Sequence, residues 1–153
     1  MDIYAMLKKD HRKIKSIFKQ IEKEEEPSLD TLNNILQQVQ QELNVHMRGE
    51  EQYLYPVLEQ HAEAKLDTLE AMEEHKVAKR ILQEMLDMPT KDSLHLAAKM
   101  KVLGEVVQHH IKEEEKSLFA DAHKVLQQEQ VDDISAKYEA EKKKAEEAVP
   151  VGA

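Results

Sequence analysis

The chain has 153 residues, enough for one domain with a substantial core, a formal charge of −9 and no cysteine. The missing thiols exclude disulfides, thiolate metal sites and thiol catalysis, so any metal must be held by nitrogen and oxygen. The acidic balance without a dense basic cluster argues against nucleic acid as a partner, and nothing in the charge pattern or hydropathy points to a membrane.

Three glycines, four prolines and a wealth of Leu, Lys, Glu, Gln and Ala favour helix over sheet. The opening Met-Asp-Ile-Tyr-Ala-Met has no charged start leading into an apolar run, so the expectation is a cytoplasmic protein without a signal peptide. A first helix is predicted from about Asp2 to Glu25, with Tyr4, Leu7, His11, Ile14, Phe18 and Ile21 on its inner stripe. It stops before Pro27, and Ser28 or Asp30 can cap the next helix. That second helix spans about Leu29 to Tyr55, its stripe being Leu32, Leu36, Val39, Leu43, His46, Glu50, Tyr53 and Val57. Pro56 predicts a kink or an end.

A third helix covers about Leu66 to Asp87, with Leu69, Met72, His75, Leu82 and Leu86 expected to face inward. Met88-Pro-Thr-Lys-Asp-Ser93 punctuates the chain, with Asp92 or Ser93 as the next cap. The fourth helix runs from about Leu94 to Gln128, its stripe being Leu96, Leu103, Val107, His110, Glu114 and Leu118. The pattern weakens beyond Val131. There Val131, Ile134 and Tyr138 suit a short fifth helical piece, and residues 139–153 read as a solvated, partly disordered end. The fold expected is an all-α, up-down-up-down four-helix bundle over residues 1–130, with residues 131–153 as a helical extension and flexible tail.

The chain repeats itself at an offset of 64. His110-Ile-Lys-Glu-Glu114 matches His46-Met-Arg-Gly-Glu50, and Glu74-His75-Lys76 matches Asp10-His11-Arg12. Each half carries one lone histidine and one His-x-x-x-Glu. The rise of ~1.5 Å per residue places His11 and His46 toward one end of an antiparallel pair, with His75 and His110 at a corresponding level. A single His-x-x-x-Glu is ordinarily a surface i,i+4 pair, and a lone striped histidine is ordinarily a satisfied core residue. Together, though, His11, His46, Glu50, His75, His110 and Glu114 would bury four imidazoles and two carboxylates at one level, which requires compensation. These are too many ligands for one ion and enough for two, each with two histidines and both bridged by the glutamates. The donor set suits iron or manganese, with zinc also possible.

His109 and Glu113 form a rival pair on a face carrying Glu105, Lys112 and Lys116, which reads as solvated. The remaining histidines (His61, His95 and His123) have no histidine partner in the repeat and read as surface residues. Tyr53 lies three residues after Glu50, where its repeat partner is Ser117. It reads either as a core tyrosine whose hydroxyl meets a polar group, or as a phenolate ligand or donor to bound oxygen.

At these residues the chain resembles the hemerythrin-like family, the HHE cation-binding domains. The resemblance covers about Asp2 to Val125 and includes Glu50-Glu51-x-x-Leu54-Tyr55-Pro56 and Glu114-Glu115-x-x-Leu118-Phe119. It implies two non-haem iron ions with an oxo or hydroxo bridge inside a four-helix bundle. Oxygen-carrying members have a further histidine where this chain has Lys79, and an aspartate five residues after the last histidine where it has Glu114 at four. Those departures argue against reversible oxygen carriage and for an open position on the His75 iron. The function expected is a di-iron protein that binds or reduces a small oxidant (O2, peroxide or nitric oxide). The alternative expectation is a redox, oxygen or iron sensor acting through a protein partner without turnover.

Overall fold

The computed structural model describes residues 1–89 and 92–148. Helix α1 (Ile3–Glu22) starts where the Asp2 carboxylate accepts from Ala5 N–H at 2.9 Å. Helix α2 (Leu29–Gly49) is capped by Ser28, which accepts from Thr31 N–H at 3.1 Å. It continues without a break into the π-helical turn π1 (Glu50–Leu54) and then α3 (Tyr55–Leu58). Helix α4 (Ala62–Leu86) follows. Helix α5 (Ser93–Glu113), capped by Asp92, runs through a second π turn, π2 (Glu114–Leu118), into α6 (Phe119–Val125). Helix α7 (Gln128–Ala148) closes the described chain.

The first four rods run up, down, up and down: α1 packs on α2 and α5, and α4 packs on α5. Two apolar clusters form, one at each end of the bundle. One gathers Ile14, Phe18, Leu36, Leu43, Leu82, Met100 and Leu103 among others; the other gathers Leu7, Leu54, Tyr55, Leu58, Leu118, Phe119 and Tyr138. Along α1, His11 falls between Leu7 of one cluster and Ile14 of the other, so the histidines lie in a polar layer between two dry ones.

The inner stripes expected on α1 and α5 are buried as read. On α4 His75 and Leu82 are buried as read, while Leu69, Met72 and Leu86 give up the most buried places to Thr68, Ala71 and Met85 one position earlier. Leu69 is 37% exposed, whereas Ala64, Thr68, Ala71, His75, Ala78, Leu82 and Met85 are buried. The inward face of α4 is built largely of small residues, which let it approach its neighbours closely, so side-chain size misled the hydropathy reading. The C-terminal extension is present and longer than the three positions expected. Helix α7 continues to Ala148, packing on α1, α2 and π1, while 149–153 of the expected flexible tail lie outside the described residues. Among the described residues no helix is long and apolar enough to cross a membrane.

Candidate metal centre

Both π turns begin at a glutamate of the repeat. A π turn widens the helix, closing an i to i+5 hydrogen bond in place of i to i+4. Tyr55 N–H donates to Glu50 C=O, and Phe119 N–H donates to Glu114 C=O. In each rod the residue five after the glutamate thereby joins the inner face. Tyr55 and Phe119 are 1% and 4% exposed, and Tyr53 is displaced to the flank. Pro56 lies two residues beyond the end of π1, in the first turn of α3, and the wide turn takes the place of the expected break.

All six residues singled out from the repeat converge. His11, His46, Glu50, His75, His110 and Glu114 are each no more than 7% exposed. Ligand atoms of His11, His46, Glu50 and Glu114 lie within 4.8 Å of one another, as do those of Glu50, His75 and His110. His11 Nε2 is 3.1 Å from Glu114 Oε1, and His46 Nε2 is 3.1 Å from Glu50 Oε1. Glu50 Oε1 also stands 3.2 Å from His75 Nε2, and Glu114 Oε2 stands 3.4 Å from His110 Nε2. Each carboxylate therefore faces one histidine from each pair.

An outer ring of carboxylates sets how the rings point. The Nδ1–H of His11 donates to Glu115 at 2.6 Å, and that of His75 to Glu51 at 2.7 Å. The Nδ1–H of His46 donates to Asp10 at 3.0 Å, and that of His110 to Glu74 at 2.8 Å. Anchoring Nδ1 turns every Nε2 lone pair inward, which is how metal-ligating histidines are held. The ring obeys the repeat: Asp10 and Glu74 precede the lone histidines, and Glu51 and Glu115 follow Glu50 and Glu114. That correspondence was visible in the sequence, but only the packing shows which carboxylate serves which histidine.

Inside the ring, His11 Nε2, His46 Nε2, both oxygens of Glu50 and Glu114 Oε1 are buried without a hydrogen-bond partner. Five orphaned polar atoms in one core are a large desolvation cost unless a cation meets them. The N···O spacings near 3.1 Å are also those of neighbouring ligands about 2.1 Å from one ion, since right-angled bonds of that length put them ~3.0 Å apart. The residues present thus fit a metal centre.

Without metal, protons take the cation's place. Burial opposes charging His46, but Glu50, one turn on, and the Asp10 hydrogen bond outweigh it and lift its pKa to about 10. His75 and His110 shift upward against the same opposition, through their own carboxylates. Burial likewise opposes ionisation of Glu51, yet hydrogen bonds from His75 and Lys79 bring it down to about 2. A histidine raised on folding contributes stability that is complete below its ordinary value near 6.5 and lost as pH rises through its folded value. Metal-free protein is therefore expected to lose thermal stability between pH 6.5 and 10. Metal-loaded protein should show a flatter alkaline limb and release protons on loading. Melting curves across that range, with and without chelator, check this; identical limbs would contradict it.

Of the two readings of Tyr53, the structure gives the one in which its hydroxyl meets a polar group: it is half-buried outside the cluster and donates to Glu141 on α7 at 3.3 Å, away from the place considered for a ligand or donor to bound oxygen. Tyr55 occupies the place considered for it. Its Oη donates to Glu114 Oε2 at 2.6 Å and lies 3.2 Å from His75 Nε2. In the other half Phe119 instead stacks on His11 at a centroid distance of 6.4 Å. Lys79, where oxygen carriers have a histidine, pairs with Glu51 at 2.7 Å and so supports the residue that anchors His75. His109 is largely exposed, in keeping with the choice of His110. Tyr138, expected only to pack with Val131 and Ile134 in a short fifth helical piece, also reaches the edge of the centre from beyond the repeat. Its hydroxyl donates to Asp10 Oδ2 and lies 3.2 Å from His46 Nδ1, while Lys142 pairs with the other Asp10 oxygen at 2.9 Å.

Comparison with known proteins agrees with this geometry. The chain is 26% identical over 148 residues to a DNA nickase from Nostoc sp. (strain PCC 7120 / SAG 25.82 / UTEX 2576). The alignment takes in 96% of this chain and 41% of that relative, so the chain spans well under half of the relative's length. No solved structure matches. Residues 2–122, which hold all six inward-facing histidines and glutamates, match the hemerythrin HHE cation binding domain, and the chain belongs to that family.

Proposed function

We propose that the chain holds two non-haem irons and binds or reduces a small oxidant. The observation carrying this reading is the pair of ligand groups that share Glu50, with Glu114 also facing both histidine pairs. When bound, two irons supply an electron each by moving between ferrous and ferric states. The protein's part is to orient and to exclude water. Four anchored imidazoles keep the geometry, the flanking apolar clusters keep the layer dry, and Tyr55 keeps a proton at its Oη. Burial, reinforced by Glu114 and Glu50, raises the Tyr55 pKa well above the ordinary phenol value, so the hydroxyl remains a donor at neutral pH.

Metal analysis of the purified chain with optical spectra of its reduced and oxidised forms tests the reading. Two irons per chain and rapid reoxidation by O2, peroxide or nitric oxide are expected. One ion or none, or zinc alone, would remove it. In Tyr55→Phe the iron content is expected to stay at two while reoxidation changes by about tenfold, the scale of outer hydrogen bonds at metal sites. An unchanged rate would remove Tyr55 from the reaction.

One observation favours the sensor reading: α7 touches the centre through Tyr138, which gives the state of His46 a route to the C-terminal helix. Oxidation that alters amide exchange in α7 without turnover would favour it over the first reading. The DNA-nicking activity named for the relative belongs to a chain more than twice as long, and the charge of −9 here offers no footprint for phosphate. Metal-dependent nicking of supercoiled plasmid by this chain, lost in Glu50→Ala, would displace the small-oxidant reading.

A further inference from the structure

The 64-residue repeat creates two equivalent flanks of the centre, and the fold treats them differently. On one flank the positions are Ile3, Met6, Gly49 and Tyr53; on the other they are Asp67, Glu70, Glu113 and Ser117. Helix α7 lies across the first. Ile3 N–H donates to Ser135 Oγ at 2.7 Å, the Tyr53 hydroxyl meets Glu141, and the Tyr138 ring sits over Gly49 so closely that there is no room for a Cβ. The second flank keeps a cleft of about 30 Å³ between α4 and the α5–π2 rod, room for one or two waters, leading to His110 and Glu114. Its rim is hydrophilic where the covered flank is apolar or aromatic: Glu70 is exposed, and Asp67, Glu113 and Ser117 are half-buried.

At the inner end stands Glu114, 2% exposed, with its Oε1 lacking any hydrogen-bond partner. Glu114 keeps this one oxygen unpartnered at the end of a cleft whose polar lining is Asp67, Glu70, Glu74, Glu113 and Ser117, beside Ala71 and Leu118, and that row of acids makes a potential gradient for a cation, falling from surface to centre.

From this juxtaposition we propose that divalent metal enters the centre from one side only, through the Asp67–Glu70–Glu113 cleft onto Glu114, while α7 plugs the equivalent passage of the other half. The proposal rests on the metal reading above and adds the route. Asp67, Glu70 and Glu113 act in loading, not as ligands of the filled site. Their removal changes how fast metal arrives without changing how much is finally held. Ser117 matters for its size, because a tyrosine there would restore the residue that stands at the matching place on the plugged flank.

The test uses the full chain stripped of metal and mixed with Co(II) by stopped flow, following the ligand-field absorption as the site fills. In Asp67→Asn/Glu70→Gln/Glu113→Gln the loading rate at low salt is expected to fall about tenfold, with the salt dependence much reduced and the final cobalt content unchanged. Ser117→Tyr, which leaves the charges in place, is expected to slow loading at least as much. Circular dichroism confirms that each variant is folded. Rates within twofold of the wild type in both variants, with normal final content, would overturn the route and leave the metal centre standing. Failure of the wild type itself to take up cobalt or iron would remove the centre and the route together.

Discussion

Glu50→Ala is expected to leave at most one metal ion per chain, against the two proposed for the unaltered protein. Glu50 belongs to both ligand groups, standing 3.1 Å from His46 Nε2 and 3.2 Å from His75 Nε2. Losing a histidine would weaken one position; losing this carboxylate weakens both. Outer-shell changes at metal sites already cost 10- to 100-fold in affinity, so removal of a shared ligand should cost at least about a hundredfold. At metal concentrations that saturate the unaltered protein, that loss withdraws about 2.7 kcal/mol of ligand-linked stability, or roughly 5 to 10 °C in melting temperature for a chain of this size. Metal quantitation and thermal melts check both numbers. Two ions per chain and an unchanged spectrum in the variant would show that Glu50 is not the shared ligand.

Gly49→Ala should destabilise the protein by about 2 kcal/mol, although the same exchange in an ordinary helix stabilises by up to ~1 kcal/mol. The reason is local. An added Cβ would lie 2.6 Å from Tyr138 Cδ2 and nearer still to Cε2, well inside contact distance. The ring must move, and its hydroxyl is the one bonded to Asp10 beside His46. Displacing it would undock α7 and loosen the anchor of a histidine in one step. Faster amide exchange across residues 128–148 and an earlier urea midpoint are the expected readings. At Gly104, by contrast, the nearest atom is Phe18 Cδ1 at 3.1 Å, on a ring that needs to yield only a few tenths of an ångström, so Gly104→Ala should cost far less. An unchanged or raised midpoint in Gly49→Ala, with α7 still protected, would mean the ring relaxes without consequence.

Periodicity and structure part at two places, for two different physical reasons. The second-helix stripe was followed at steps of three and four through Tyr53 and Val57, which holds while a helix keeps 3.6 residues per turn. The π turn at Glu50–Leu54 breaks that count, so burial passes to Leu54, Tyr55 and Leu58. A reader of spacing therefore picks Tyr53, whereas the folded chain presents Tyr55. On α4 the misreading had another origin: Ala64, Ala71 and Ala78 carry too little apolar weight to outbid Leu69 on a helical wheel, yet they are the residues that face the core.

The residue order alone is enough to say which six polar side chains turn inward together. Burying four histidines and two carboxylates at one level is so unfavourable without a cation that their spacing and repetition already imply one, whatever the detailed packing. The fold class followed for a similar reason, since apolar stripes at helical period can be buried only against each other. Packing between distant segments fixes what surrounds those six side chains: which carboxylate holds which ring, that Tyr55 rather than Tyr53 reaches Glu114, and that Tyr138 on α7 lies over one flank while a small cleft remains on the other. Those are matters of a single extra residue in a turn and of a helix meeting the bundle from far along the chain. Local periodicity holds no information about either.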